Sequence, residues 1–131
     1  MKTDNEANRE LTISILSNHK TLLESLTSWL YHKYPGYNYK TFPKKESQLS
    51  FLDSSHKQIV IIDIGLSFLT DLGLIDYIQG CYPDIKIIAV TPFQPGILEK
   101  KLKGSKLLSI IPKWKISNKL PAIIDLTGEK E

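Results

Sequence analysis

Cysteine is almost missing from this 131-residue chain: Cys81 is its one thiol, so no disulfide can form within it. That agrees with a reducing compartment without demanding one. No apolar run approaches the length that spans a bilayer, and the run over 59–62 is strand-sized. The opening MKTDNEANRE lacks the apolar stretch of a secretory signal. A cytoplasmic protein without membrane contact is expected. His19, His32 and His56 do not fall at metal-ligand spacing, and no second thiol lies near Cys81, which argues against a zinc site. No glycine-rich loop follows the first strand candidate, which argues against the nucleotide-binding relatives of an α/β layout. Nor does one sign of charge dominate. A net charge of +3 permits weak attraction to nucleic acid or acidic partners and identifies neither.

What is present is ordinary for a soluble globular chain: 41% hydrophobic and 24% charged residues, enough for one domain and one sizeable core. Residues 11–16 alternate apolar and small polar side chains and read as a strand. Leu22, Leu23, Leu26, Trp29 and Leu30 then recur at helical spacing, ended by Pro35-Gly36. Residues 37–42 form an aromatic-rich strand candidate and 47–52 a short helix candidate. The run QIVIID over 58–63 has no alternation, as a strand buried on both faces requires. A helix over 68–79, a strand over 85–90, a helix over 95–103 and a strand over 107–111 follow, and Ser117 is placed to cap a last helix running to 126. Pro121 is awkward in that helix and tolerable only near its start.

The alternation predicts an α/β fold with a five-stranded parallel sheet and helices on both faces, flavodoxin-like in layout. A domain over 11–126 is expected between a flexible tail at 1–10 and a tail or linker start at 127–131. Ligands of such folds gather at the carboxyl ends of the strands, here Ser17, Asn18, Asp63, Thr91 and Pro112-Lys113. A lone Asp ending an apolar strand is as often a helix cap or loop carboxylate as a chemical group. Its company shifts the balance. A carboxylate nucleophile with a hydroxyl and an ammonium nearby can accept a phosphoryl group, the cation and hydroxyl stabilising the oxygens that gain charge.

The residues 11–126 resemble the response-regulator receiver family, the CheY-like domains, and within it the receivers of NarL/LuxR-type transcriptional regulators. The resemblance lies in LSNHKTLLESL, IVIIDIGLS, YPDIKIIAVT and IIPK, in that order. It implies that Asp63 is the phospho-acceptor, with Thr91 the switch hydroxyl and Lys113 the phosphate-binding lysine. Mg²⁺ is the cofactor implied, held by Asp63, by Asn18 and by the Gly65 carbonyl. Its binding should be weak, because Ser17 and Asn18 replace the family's acidic pair and a hard cation favours anionic oxygen. Other departures are Ser67 for a proline, Asp71 for a glycine, Pro92 after Thr91, and Ile110 at the aromatic switch position. Replacing the acidic pair also removes carboxylate repulsion, favouring one resting state without a cation.

Lys100, Lys101, Lys103 and Lys106, with Lys115 and Trp114, form a candidate partner-binding face. The plainer reading of these lysines is a solvated helix surface. Trp114 is either an exposed anchor or a cover for the final helix, and Trp29 belongs to the core. The expected function is therefore signal transduction rather than enzymatic catalysis. The rival is a phosphorylation-independent pseudo-receiver acting by dimerisation or docking, and a more distant one is a flavodoxin-like ligand-binding protein or enzyme. Expected partners are a sensor kinase or another regulator, and a homo- or heterodimer through the fourth helix, fifth strand and fifth helix. Nucleic acid would be reached only through an output domain absent from this chain.

Overall fold

The computed structural model describes residues 11–45, 57–65, 68–92 and 108–129. Five strands build its sheet: β1 (Leu11–Leu16), β2 (Asn38–Phe42), β3 (Lys57–Asp63), β4 (Lys86–Thr91) and β5 (Leu108–Pro112). They lie in the order β2-β1-β3-β4-β5, and every pairing is parallel. The helices are α1 (Lys20–Lys33), α2 (Phe68–Cys81) and α3 (Ile116–Glu129). The α/β expectation and its parallel sheet hold. The helix candidates at 47–52 and 95–103 lie outside the described residues, as does the tail at 1–10.

The unbroken apolar run of β3 explains its central place. Val60 and Ile62 enter a core on one face with Leu72, Ile75 and Ile78 of α2. Ile59 and Ile61 enter a second core on the other face with Leu26 and Leu30 of α1 and Leu120 and Ile124 of α3. Successive strand side chains point to opposite faces, so the middle of a strand covered on both sides favours an apolar residue at every position. The buried polar residues of β3, Gln58 and Asp63, lie toward its ends. Each such aliphatic side chain contributes about 1.5–3 kcal/mol by leaving water. The helices thus cover both faces of the sheet. No described helix is long and apolar enough to cross a membrane.

Helix α1 ends where β2 can serve it. The last carbonyls of a helix lack internal partners. Here the Tyr39 hydroxyl, from β2, shares its one hydrogen between Tyr34 O at 2.6 Å and Leu30 O at 3.0 Å, and Leu30 O also accepts the Tyr34 N–H at 2.7 Å. Trp29 differs from the expectation: it packs against the second core but is only half-buried, because its turn of α1 faces a groove rather than the sheet.

The C-terminal helix also differs. A 3-10 turn over Lys113–Lys115 leads directly into α3, so Ser117 lies inside the helix and caps nothing. Pro121 is then an interior residue rather than one of the first turn. The helix continues to Glu129, past the helix end expected at 126.

Candidate functional site

Parallel pairing brings the carboxyl ends of all the strands to one edge of the sheet, and Asp63 sits at the middle of that edge. It is 2% exposed. An ionised carboxylate at that depth requires partners. The Ser17 hydroxyl, just past β1, donates to Oδ2 at 2.8 Å, while Ser17 Oγ accepts the His19 N–H at 3.0 Å. The Lys113 ammonium lies 2.9 Å from Oδ1 as an ion pair. That oxygen has no regularly aligned hydrogen bond among the described residues, so the cation is its main partner.

Lys113 reaches Asp63 from two strands away. Asp63 is in register with Val90, and Thr91 with Pro112, so Lys113 follows the residue facing the end of β4. Thr91 is fully buried at that end, on the strand next to Asp63 and one position beyond its register partner. Asp63, Thr91 and Lys113 therefore stand at the ends of three neighbouring strands on one edge of the sheet, with Asp63 and Lys113 in direct contact. Ile110, expected at the aromatic switch position, is partly buried against the core of α2.

Two residues at the site were not foreseen in the roles they take. Lys44 follows β2, and its ammonium donates to the main-chain carbonyl of Asp63 at 2.7 Å. It also pairs with Asp71 Oδ2 at 3.0 Å, and both side chains are almost wholly buried. Asp71 stands in the first turn of α2, where the helix dipole favours an anion, and the same Oδ2 accepts the Gly65 N–H at 2.9 Å. Asp71 was visible in the sequence only as a departure, and Lys44 only as one of several lysines in a polar turn. The contact that joins them depends on β2 lying beside β1, which no local pattern specifies.

The residues named for a metal have other engagements. Asn18 is exposed and its Oδ1 accepts the Lys44 backbone N–H at 2.9 Å. The Gly65 N–H is bound by Asp71, and a Cβ on Gly65 would stand 3.8 Å from Lys44 Nζ. Among the described residues, no group of three His, Cys, Asp or Glu side chains is placed to hold a metal ion.

The candidate partner face is divided. Lys100, Lys101, Lys103 and Lys106 lie outside the described residues. Trp114 is 57% exposed and Lys115 is exposed. Trp114 stands in the turn just before α3. With Leu26 and Trp29 it lines a groove of about 360 Å³ that also touches Lys113.

No protein-family model and no curated protein sequence matches the chain. Solved structures do. The isolated receiver (REC) domain of RcsB from Salmonella enterica serovar Typhimurium superposes with a TM-score of 0.71 at 21% identity, covering 92% of this chain and 89% of that one. RcsB of the same organism bound to promoter DNA with the phosphomimetic BeF₃⁻ gives 0.70 at 21% identity, over 94% of this chain and 62% of that one. The non-phosphorylated RcsB receiver of Escherichia coli gives 0.62 at 17% identity, over 92% and 95%. The chain thus spans less than two thirds of the DNA-bound RcsB and nearly all of the isolated receivers. It has the receiver fold.

Proposed function

We propose that the chain is the receiver module of a response regulator and that Asp63 is its phosphoryl acceptor. The observation that carries this reading is the pairing of a buried Asp63 with Lys113 at 2.9 Å, on the carboxyl edge of a parallel sheet. A carboxylate oxygen of Asp63 forms a bond to the phosphorus of a phosphohistidine or acyl-phosphate donor. The donor's P–N or P–O bond breaks and its electron pair leaves with the donor group, giving an aspartyl phosphate. Lys113 stabilises the charge on the transferred oxygens, and the buried Thr91 hydroxyl supplies a neutral donor near them. The domain signals by this modification and is not an enzyme acting on metabolites.

The partners that fit are a sensor kinase or a second regulator, in the cytoplasm. DNA, which RcsB binds in the solved complex, would be contacted through an output domain rather than through this module. A second reading has its own support. Ser17 already donates to Asp63 Oδ2, and Ile110 stands where the switch aromatic is expected, so the edge is occupied at rest. That arrangement suits a module that docks without phosphorylation.

Acetyl phosphate with intact-mass readout separates the two readings. One phosphoryl adduct on the wild type and none on Asp63→Asn supports the acceptor. A folded protein that never takes an adduct, from acetyl phosphate or from candidate kinases, leaves the docking module.

A further inference from the structure

Two lysines converge on Asp63 from the outer strands of the sheet. Lys113, after β5, reaches over the end of β4 to the carboxylate. Lys44, after β2, reaches over the end of β1 to the main-chain carbonyl. The first fits the phosphate-binding role. The second has no role in that scheme, yet it is the more deeply buried of the two, with 10% of its side chain exposed against 34%.

Lys44 engages two of the three residues named for Mg²⁺, and Asp71 links it to the third. Asn18 Oδ1 accepts its backbone N–H, the Asp63 carbonyl accepts its ammonium, and Gly65 shares with it one oxygen of Asp71. The donor set does not suit a hard dication. Ser17 turns its O–H, not a lone pair, toward Asp63, and the charge that Mg²⁺ would bring is already present as an ammonium. A second cation beside a buried ammonium would meet repulsion in a poorly screened setting.

We propose that Lys44, anchored by Asp71, is the resident cation of the Asp63 site, a positioning residue that fixes the loop after β3 and makes the site independent of divalent metal. This rests on reading the Asp63 edge as a receiver's acceptor site. Lys44 holds the last residue of β3 by its carbonyl, and Asp71 holds the second residue of the loop by its N–H. The ion pair between them ties both to the start of α2. A metal would do this reversibly. A lysine does it permanently.

The test uses the full chain with Mg²⁺ itself as probe, and reads the thermal midpoint together with hydrogen exchange at the Ile64 and Gly65 amides. For the wild type, millimolar MgCl₂ and EDTA should give the same midpoint and the same protection. Lys44→Met should lower the midpoint by about 10 °C or more, because it strands a buried carboxylate. Mg²⁺ should then restore part of the loss and part of the Gly65 protection. Lys44→Arg should keep the indifference to Mg²⁺, and Lys44→Met with Asp71→Asn should recover the midpoint without metal. A wild type that Mg²⁺ stabilises saturably, or a Lys44→Met variant indifferent to Mg²⁺ in both readouts, overturns the proposal. If Lys44→Met does not fold, the wild type and Lys44→Arg titrations still decide. Neither readout involves phosphate, so failure of Asp63 to accept a phosphoryl group would leave this result standing, and the reverse also holds.

Discussion

The Ser17 hydroxyl and the Asp63 carboxylate share one hydrogen at 2.8 Å, a bond between the ends of two adjacent central strands. Ser17→Ala removes that bond and the acceptor for the His19 N–H. A hydrogen bond to a buried charge is worth roughly 1.5–3 kcal/mol, and a loss of that size in urea unfolding is expected. Ser17→Asp should cost more at neutral pH, because two carboxylates would then face each other. Its deficit should shrink as the pH falls and one of them binds a proton. A Ser17→Asp variant as stable as the wild type across pH would mean that the two side chains do not meet.

Lys113 and Asp63 should be coupled, and a double-mutant cycle measures this directly. Among the described residues, Lys113→Met leaves the Asp63 side chain with only the Ser17 donor. Since Lys113 is a third exposed, screening trims the expected cost to about 1–3 kcal/mol. In an Asp63→Asn background the same change should be close to neutral. Additive losses in the urea midpoints would show that the pair contributes nothing to stability.

Two tyrosines predict how the fold responds to alkali. Burial pushes the Tyr34 phenol well above its ordinary 10.0, helped by its hydrogen bond to Asp125 and that residue's negative charge. Burial also raises Tyr39, with a smaller contribution from Tyr37. The folded state therefore keeps protons that the unfolded chain gives up. This stabilisation is complete below about pH 10 and is lost as the pH rises beyond it. Replacing both by Phe should flatten the fall of the urea midpoint in that range relative to the wild type. Parallel curves would show that neither phenol is linked to folding.

Pro121 removes one N–H from the interior of α3. Alanine there would restore the missing bond and relieve the ring's clash with the preceding turn. It would also loosen the unfolded chain, which costs about 0.4–1 kcal/mol. The helix term is the larger, so Pro121→Ala should stabilise by about 1 kcal/mol in chemical denaturation. A loss would indicate that the local distortion serves the Tyr34 hydroxyl, which lies 3.4 Å from the Pro121 carbonyl.

The fold was legible because β3 and β4 are short apolar runs that only a doubly covered parallel strand explains. Their order along the chain then placed Asp63, Thr91 and Lys113 at one edge. The start of α3 was misread because Ser117 has the chemistry of a cap, while the chain had already turned helical at Lys113. Lys44 was illegible for a different reason. Its turn is polar like any other, and its role follows from three contacts to β3, α2 and the end of β1 that only the folded sheet creates.

The sheet order has a consequence for how the chain is made. β1 is the earliest of these strands in the sequence, yet it lies between β2 and β3. Its first flank can be paired once Phe42 has emerged from the ribosome, while the other waits for Asp63. During that interval a strand buried along its whole length in the finished fold has one side open. Growing chains stalled between these points should bind chaperones more strongly than chains stalled just after β3.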